Sequence, residues 1–481
     1  MDVLLVNPPL VVPPPRKDGV AELDPLQFDQ PPIRFPPLGL CYLGAALEAD
    51  GFRVALLDAS ALGLAPDAVV AEVARRRPRM LGLSVLVFTL PAVYRIVRGV
   101  RAACPETRVV LGGLHVSDDP MVVQKTGADY GVRGWGEEPL AALVRACLRG
   151  EGDPAAIPGV VHEADGKWVA NPVGRLRPFD QVAPPARHLL GATRYRTPFD
   201  PRSMANVSLS RGCAFRCDHC HYGSPGVRAC HPHQVRPVDS IQDEFASIRR
   251  DTGARFVTFT DDTFTIHRDR ILDLCEALAR ETDPMPWSCE TRASLLDEEL
   301  LLAMRRAGCR AVSIGVETAS EAIRSRSHKA VTNRHVRAAF ALCRRAGIEA
   351  KANFMFGLPG ERPEDFEASI RFAIELQPAY VEFHIALVLP NTPLFQDALA
   401  RGLLQADVYD RFMRGEGGFP LYLPGGVTAG DLVRADQRAY RDFYLRPGYV
   451  WDRLRRLRGA GDLARHVRLG AWVAWSALRR K

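Results

Sequence analysis

The chain has 481 residues, 47% hydrophobic and 25% charged, an ordinary globular mix that excludes a disordered, collagen-like or disulfide-scaffold protein. One core rarely grows past about 250–300 residues, so two or more domains are expected. The net charge is +7, yet Arg446 to Lys481 alone carries ten Lys and Arg against two Asp, a net of +8. The rest is about neutral, which excludes a basic body that grips nucleic acid and leaves a basic tail.

No run reaches the roughly 18 apolar residues of a membrane span. Met1-Asp2-Val3-Leu4-Leu5 has no basic region before its apolar stretch and reads as a strand rather than a signal peptide. Eleven cysteines without a secretion signal imply reduced thiols in a cytoplasm.

Residues 1–150 alternate strand and helix. Val3–Val6 is a strand ended by Asn7-Pro8-Pro9. Leu38–Ala49 is a helix stopped by Gly51, Val54–Leu57 a strand ending at Asp58, Ala68–Arg77 a helix and Met80–Ser84 a strand. Helix Ala92–Ala103, strand Val109–Leu111 ending in Gly112-Gly113, strand Ala128–Val132 ending in Arg133-Gly134, and helix Glu138–Leu148 follow. Five apolar strands between helices predict a doubly wound parallel sheet. Its ligand belongs at the carboxyl ends of the strands, which carry Asn7, Ser84, Gly112, Gly113 and Gly134. Residues 151–200, rich in Pro, Gly and Arg, read as a linker with a small hairpin around Gly159–Ala170.

A second alternating set fills residues 201–400. Its strands are Asn206–Ser210, Phe256–Thr260, Pro286–Cys289, Ala311–Val316, Ala350–Phe356 and Tyr380–Leu387. Helices Asp239–Arg250, Asp269–Arg280, Asp297–Ala307, Asn333–Ala346 and Pro363–Leu376 lie between them, with Asp239, Asp297 and Asn333 as expected caps. Six β/α units predict a partial (β/α)6 barrel with its chemistry on the loops after the strands. Residues 401–481 read as a separate, basic helical region.

Cys213, Cys217 and Cys220 have the spacing C-x3-C-x2-C just after the first strand of this set. Such a loop can hold three irons of a 4Fe-4S cube and leave the fourth open to chelate a small molecule. Zinc, with His219, His221 or Cys230 as fourth ligand, is the competing reading. Cys41, Cys104, Cys147, Cys275, Cys289, Cys309 and Cys343 lie mostly in apolar stretches and read as core residues.

Motifs at successive strand ends strengthen the cluster reading: Ser210-Arg211-Gly212-Cys213, Phe259 to Phe264 (FTDDTF), Cys289-Glu290-Thr291-Arg292, Gly315-Val316-Glu317-Thr318 and Phe354 to Glu361 (FMFGLPGE). In this ordered set the chain resembles the radical SAM superfamily. Val109–His115 (VVLGGLH) and Asp129–Glu138 (DYGVRGWGEE) resemble the cobalamin-binding domain that precedes the core in one of its branches. The resemblance covers roughly residues 1–400. It departs at His219, where the family usually has an aromatic residue, and at Trp135, where it has an acidic one.

The resemblance implies that Cys213, Cys217 and Cys220 ligate the cluster. It places Asp261 or Asp262 at the amino group of S-adenosylmethionine (SAM), and Glu290, Arg292 and Glu317 at its ribose and carboxylate. Carboxylates suit ammonium and hydroxyl groups, and a guanidinium suits a carboxylate. Asn7, Ser84, Gly112, Gly113, His115, Gly134 and Glu137 are the implied cobalamin contacts, with no histidine placed to ligate cobalt. The implied activity is C-methylation of an unactivated carbon: one SAM methylates cobalamin, and a second yields a 5′-deoxyadenosyl radical that activates the substrate. A cyclase or ring-rearranging enzyme of porphyrin or hopanoid-lipid type uses the same machinery without methyl transfer. A non-catalytic cobalamin sensor would not need the cysteine triad. A methylthio-transferring relative would bring further cluster cysteines in the first domain, which has only Cys41, Cys104 and Cys147.

Expected partners are a small-molecule or lipid substrate and an electron donor such as a flavodoxin or ferredoxin, with no nucleic acid. Phe383, His384 and Leu387 are expected to face the substrate. The tail 446–481 places Leu463, Val467, Ala471, Ala474 and Leu478 at helical spacing, beside Trp472, Trp475 and many Arg. That pattern suits peripheral contact with an anionic inner-membrane face.

Overall fold

The computed structural model describes residues 1–10, 22–23, 35–193, 195–197, 200–281 and 284–455. The chain is an α/β protein in two compact units. Among described residues, the first takes those up to Asp262, apart from 22–23, together with Leu389–Gly418. The second takes Thr263–Val388 and the residues from Phe419 onward.

The first unit opens with strand β1 (Val3–Asn7), helix α1 (Leu38–Ala49), β2 (Val54–Asp58), α2 (Pro66–Arg76), β3 (Met80–Ser84) and α3 (Leu90–Ala103). Then come β4 (Arg108–Gly112), the short α4 (Leu114–Asp118), β5 (Tyr130–Val132) and α5 (Glu137–Arg149). The five strands are parallel, in order β2-β1-β3-β4-β5. Val3 to Val6 are buried without alternation, as in a strand covered on both faces. In α3, Val93, Ile96, Val97 and Val100 fall on one buried stripe. The expected hairpin exists, as β6 (Val160–Ala164) and β7 (Lys167–Ala170), but it is not free linker. It extends the first sheet, antiparallel to β5.

Still in the first unit, β8 (Asp200–Val207) pairs in parallel with β9 (Phe256–Phe259). Between them lie the cysteine loop, α6 (Pro225–Cys230) and α7 (Val238–Asp251). In the second unit, β10 (Trp287–Thr291), β11 (Cys309–Glu317), β12 (Glu349–Phe356) and β13 (Tyr380–Ile385) form a parallel run. All six expected β/α strands are present. The units break between Asp262 and Thr263, inside the stretch read as a single core.

Asp297 caps α8 (Glu298–Arg306), accepting from Leu300 N at 2.8 Å. The caps expected at Asp239 and Asn333 are corrected. Asp239 lies in the first turn of α7, after Pro237. Thr332 caps α9 (Asn333–Ala346), accepting from His335 N at 3.2 Å.

The region from residue 401 is not a separate body. Leu389–Gly418 belongs to the first unit. In the second, α11 (Ala429–Tyr444) packs on β13 and on α10 (Pro363–Leu376). Tyr444 Oη donates to Val381 O (2.7 Å) and accepts from Val381 N (3.0 Å); Tyr440 does the same at Phe383. These hydroxyls satisfy backbone groups of an edge strand that would otherwise invite pairing. Tyr449, on α12 (Pro447–Arg455), continues the series to Ala379 O at 3.0 Å. The tail positions read as amphipathic, from Leu463 to Leu478, lie outside the described residues.

Candidate functional site

In the first sheet, strand order reverses between β1 and β3, so the crevice opens at the ends of these strands. Asn7 Nδ2 donates to Asp58 Oδ1 at 2.8 Å; the buried Asp58 also accepts from Ala61 N (3.0 Å) and Tyr195 Oη (2.8 Å). Just past the ends of β2, β1 and β3 stand Leu62, Leu10 and Leu86, exposed by 53%, 63% and 38%. Asn7 and Ser84 end two of the same strands. Exposed leucines in these positions suit the flat, largely apolar face of a corrin.

Two of the glycines at the ends of β4 and β5 lie against the chain's own backbone. A Cβ on Gly113 (φ +103°) would lie 2.8 Å from Val85 O, and one on Gly134 (φ +77°) 2.9 Å from Cys230 O. The room these glycines provide is taken by the chain's own backbone. Gly112 has no such contact; its nearest neighbour would be Val132 O at 3.7 Å. His115 is 2% exposed, with no partner at Nδ1, and burial pushes its ring down to about 4, so it is neutral near pH 7. Glu137 is held by Arg211, whose Nη2 lies 2.6 Å from Oε1.

The cysteine loop gathers Cys213, Cys217 and Cys220 with Asp262. Burial pushes the Cys220 thiol up to about 12, and the Cys217, Asp262 and Cys213 charges push the same way. Three thiolates beside a carboxylate repel one another unless a cation lies among them, so this donor set suits a cationic metal cluster. Cys230, weighed as a zinc ligand, instead accepts from Arg133 Nη2 at 3.4 Å. Among described residues no three His, Cys, Asp or Glu close on a single ion. Cys41, Cys104, Cys275, Cys289, Cys309 and Cys343 are buried and Cys147 partly so, as core residues should be.

The two candidate aspartates divide. Asp261 is 2% exposed and accepts from Leu209 N (3.1 Å), Ser210 N (2.5 Å) and Ser210 Oγ (2.6 Å). It fixes the chain leading into the cysteines, and burial pushes its carboxyl up to about 7. Asp262 is exposed and takes a hydrogen bond from the buried Tyr222. Asp262 is therefore the one whose carboxylate lies at the surface beside the cysteines.

In the second unit the strand registers put Glu290 beside Ser313 and Lys351, and Gly315 beside Asn353 and Glu382. This face is largely polar, with Tyr380 and Met355 at its ends; the opposite face carries Cys289, Val312, Ala352, Val381 and Phe383, all buried. Glu290 is exposed on the polar face, yet surrounding atoms displace enough water to push its carboxyl up; Lys351 opposes that shift and Glu382 adds to it. Burial alone would raise Glu382 too, but hydrogen bonds and charge from His384 and Lys351 hold it down at about 2. Lys351 Nζ lies 2.9 Å from Glu382 Oε2, and His384 Nε2 3.5 Å from it. Glu317, at φ +66°, pairs with the buried Lys329. Arg292 is 7% exposed.

The expectation for Phe383 is corrected: it is 1% exposed and stacks on Phe356, because alternation along β13 sends it to the packed face. His384 is on the polar face, and Leu387 bridges to Leu421. Sequence reading missed Tyr222, Lys329, Lys351 and Glu382. Polar residues two apart in buried strands, such as Lys351-x-Asn353 and Glu382-x-His384, were the available signal.

Residues 207–373 match the Radical SAM superfamily, and residues 31–144 match the B12 binding domain. An uncharacterized methyltransferase of Pyrococcus horikoshii is 28% identical over 86% of this chain and 88% of its own. The anaerobic magnesium-protoporphyrin IX monomethyl ester cyclase of Rubrivivax gelatinosus is 27% identical over 86% and 75%. The structure of the radical S-adenosylmethionine methyltransferase TsrM from Kitasatospora setae, with cobalamin and a [4Fe-4S] cluster bound, superposes with a TM-score of 0.70 at 23% identity, covering 93% of this chain and 90% of that one. A B12-binding domain followed by a radical SAM domain makes this chain a member of the cobalamin-dependent radical SAM enzymes, with a 4Fe-4S cluster, SAM and cobalamin as the implied cofactors.

Proposed function

We propose that the enzyme transfers a methyl group to an unactivated carbon. The observation that carries this reading is the presence of a built cysteine loop, with Asp262 beside it, together with exposed leucines (Leu10, Leu62 and Leu86) just past the ends of the first sheet's strands. When bound, the cluster with SAM supplies a carbon-centred radical, and cobalamin supplies the methyl group. Cys213, Cys217 and Cys220 would hold the cluster and Asp262 the SAM amino group. Glu290, Arg292 and Glu317 would take SAM's ribose and carboxylate. The three leucines would seat the corrin and keep water from it. The same machinery serves cyclisation, and cyclases are among the relatives, so the decisive measurement is fate of label. Anaerobic incubation of the holoenzyme with methyl-labelled SAM and a metabolite extract should place label in a new product, with S-adenosylhomocysteine and 5′-deoxyadenosine formed together. Product formation with 5′-deoxyadenosine alone and no label would establish the cyclase reading instead.

We also propose that the segment after Arg455, with seven Lys and Arg against one Asp, binds anionic lipid. Arg446 and Arg453, counted in the basic tail, are already engaged. Arg446 lies 4.3 Å over the Phe443 ring and Arg453 5.3 Å over the Tyr449 ring. Val450, Trp451 and Leu454 are exposed on the same helix. Each basic residue at such a surface contributes about 1 kcal/mol, falling with salt. Anionic liposomes should sediment the full chain at low salt but much less of a chain ending at Arg455. Equal sedimentation of the two, or insensitivity to salt, would overturn the assignment.

A further inference from the structure

Arg211 stands two residues before Cys213 and is 9% exposed. A buried guanidinium needs both a counter-charge and partners for its faces. Every one of these comes from the first 180 residues. Glu137, in the first turn of α5, supplies the carboxylate at 2.6 Å. The rings of Phe179, Tyr42 and Trp135 lie 4.0, 4.5 and 5.1 Å from the guanidinium carbon. Tyr42 is on α1, Trp135 follows β5, and Phe179 opens a short turn at Phe179–Gln181 after the first sheet.

The clamp does not stand alone. On the other side of the cysteines, α6 and His231 are fastened to the same sheet edge. Ser224 Oγ donates to Asp118, and His231 Nε2 meets Ser117 Oγ at 2.9 Å. The His231 ring stands edge-on to Trp135, with centroids 4.6 Å apart. Cys230 O fills the space beside Gly134, and Arg133 donates to Cys230 Sγ. The cysteine loop is thus pinned at both ends to elements that follow β4 and β5.

We propose that Arg211 is a positioning residue: through Glu137 and the three rings it sets where the cysteine loop sits relative to the first domain. This rests on the cofactor assignment above, because the groups so positioned are the cluster and cobalamin. Only a planar fork satisfies a carboxylate and three ring faces together, so lysine, with the same charge, does not replace it.

The test compares the full chain with Arg211→Lys and Glu137→Gln, each loaded with cluster and cob(II)alamin. The readout is the dipolar coupling between the reduced cluster and cobalt spins. In the parent a single narrow coupling is expected. In both variants iron and cobalamin contents hold while the coupling spreads at least twofold. Hydrogen exchange of the iron-free chains gives a second readout, with segment 209–224 exchanging at least tenfold faster and strands β1 to β4 unchanged. Loss of iron with cobalamin retained also supports the proposal, since only the loop has then moved. A lowered melting temperature with unchanged coupling and unchanged exchange in 209–224 would overturn it, leaving Arg211 as a stability residue. Unchanged coupling with either loaded variant and loss of both cofactors in the other would overturn it too. The cofactor assignment fails separately, if the parent itself holds no cluster or no cobalamin.

Discussion

Replacing Cys213, Cys217 and Cys220 together by Ala is expected to leave a folded, cobalamin-binding chain with no iron and no SAM cleavage. The three thiols sit on a loop already held by groups that the substitution does not touch. Asp261 fixes Leu209 and Ser210 before the loop, and Ser117 and Asp118 fix His231 and Ser224 after it. Burial and the neighbouring charges push Cys220 up to about 12, so without metal this thiol is uncharged near pH 7 and its removal relieves no buried charge. Thermal stability of the iron-free protein should therefore change little, while iron-linked absorbance and 5′-deoxyadenosine fall to background. Asp262→Asn is the matched control: it removes a carboxylate outside the ligand set, so iron should remain while SAM cleavage drops. If the triple variant retains a full cluster, or Asp262→Asn loses it, the ligand assignment is wrong. Iron and labile sulfide content, with chromatographic detection of 5′-deoxyadenosine, decide between these outcomes.

Much of this arrangement is legible in the chain itself, and what escapes does so for identifiable reasons. Helices Leu38–Ala49 and Pro363–Leu376 appear at the residues expected, because proline starts and apolar spacing are local properties. The C-x3-C-x2-C loop is equally local. Asp261 and Asp262 are neighbours with identical chemistry, and only the fold separates the buried one that holds Ser210 from the exposed one beside the cysteines. Glu137 reads as a ligand contact until Arg211, 74 positions away, is seen beside it; no periodicity encodes such a pair. Gly113 and Gly134 read from sequence as strand-end cobalamin contacts, and the structure sets Val85 O and Cys230 O against them. A glycine advertises missing bulk without saying what fills the space. The tyrosine series on α11 and α12 escaped for a similar reason: Tyr440 and Tyr444 share a helix and Tyr449 sits on the next, and their hydroxyls matter only because β13 is an edge.

The second large effect is expected on SAM binding, at Gly315. It lies on the polar face of β11, where a Cβ would come 2.6 Å from Glu317 Oε1 and closer still to Lys329 Nζ. These are the partners of a buried ion pair, with side chains 12% and 8% exposed. Glu317 is also held at φ +66°, which costs a non-glycine residue on the order of 1–3 kcal/mol and persists only where the surroundings enforce it. Both atoms are the far ends of flexible side chains, so Gly315→Ala displaces the Glu317 carboxylate at small cost to folding. The expected result is a chain whose urea midpoint changes little while SAM binding falls, if Glu317 meets the ribose or carboxylate of SAM. The double variant Glu317→Gln with Lys329→Met removes both charges together, so stability should again hold, while SAM binding should fall. Urea denaturation and equilibrium dialysis with labelled SAM make both measurements on the same protein. Full SAM affinity in the double variant would remove Glu317 from the site and leave the pair a purely structural one.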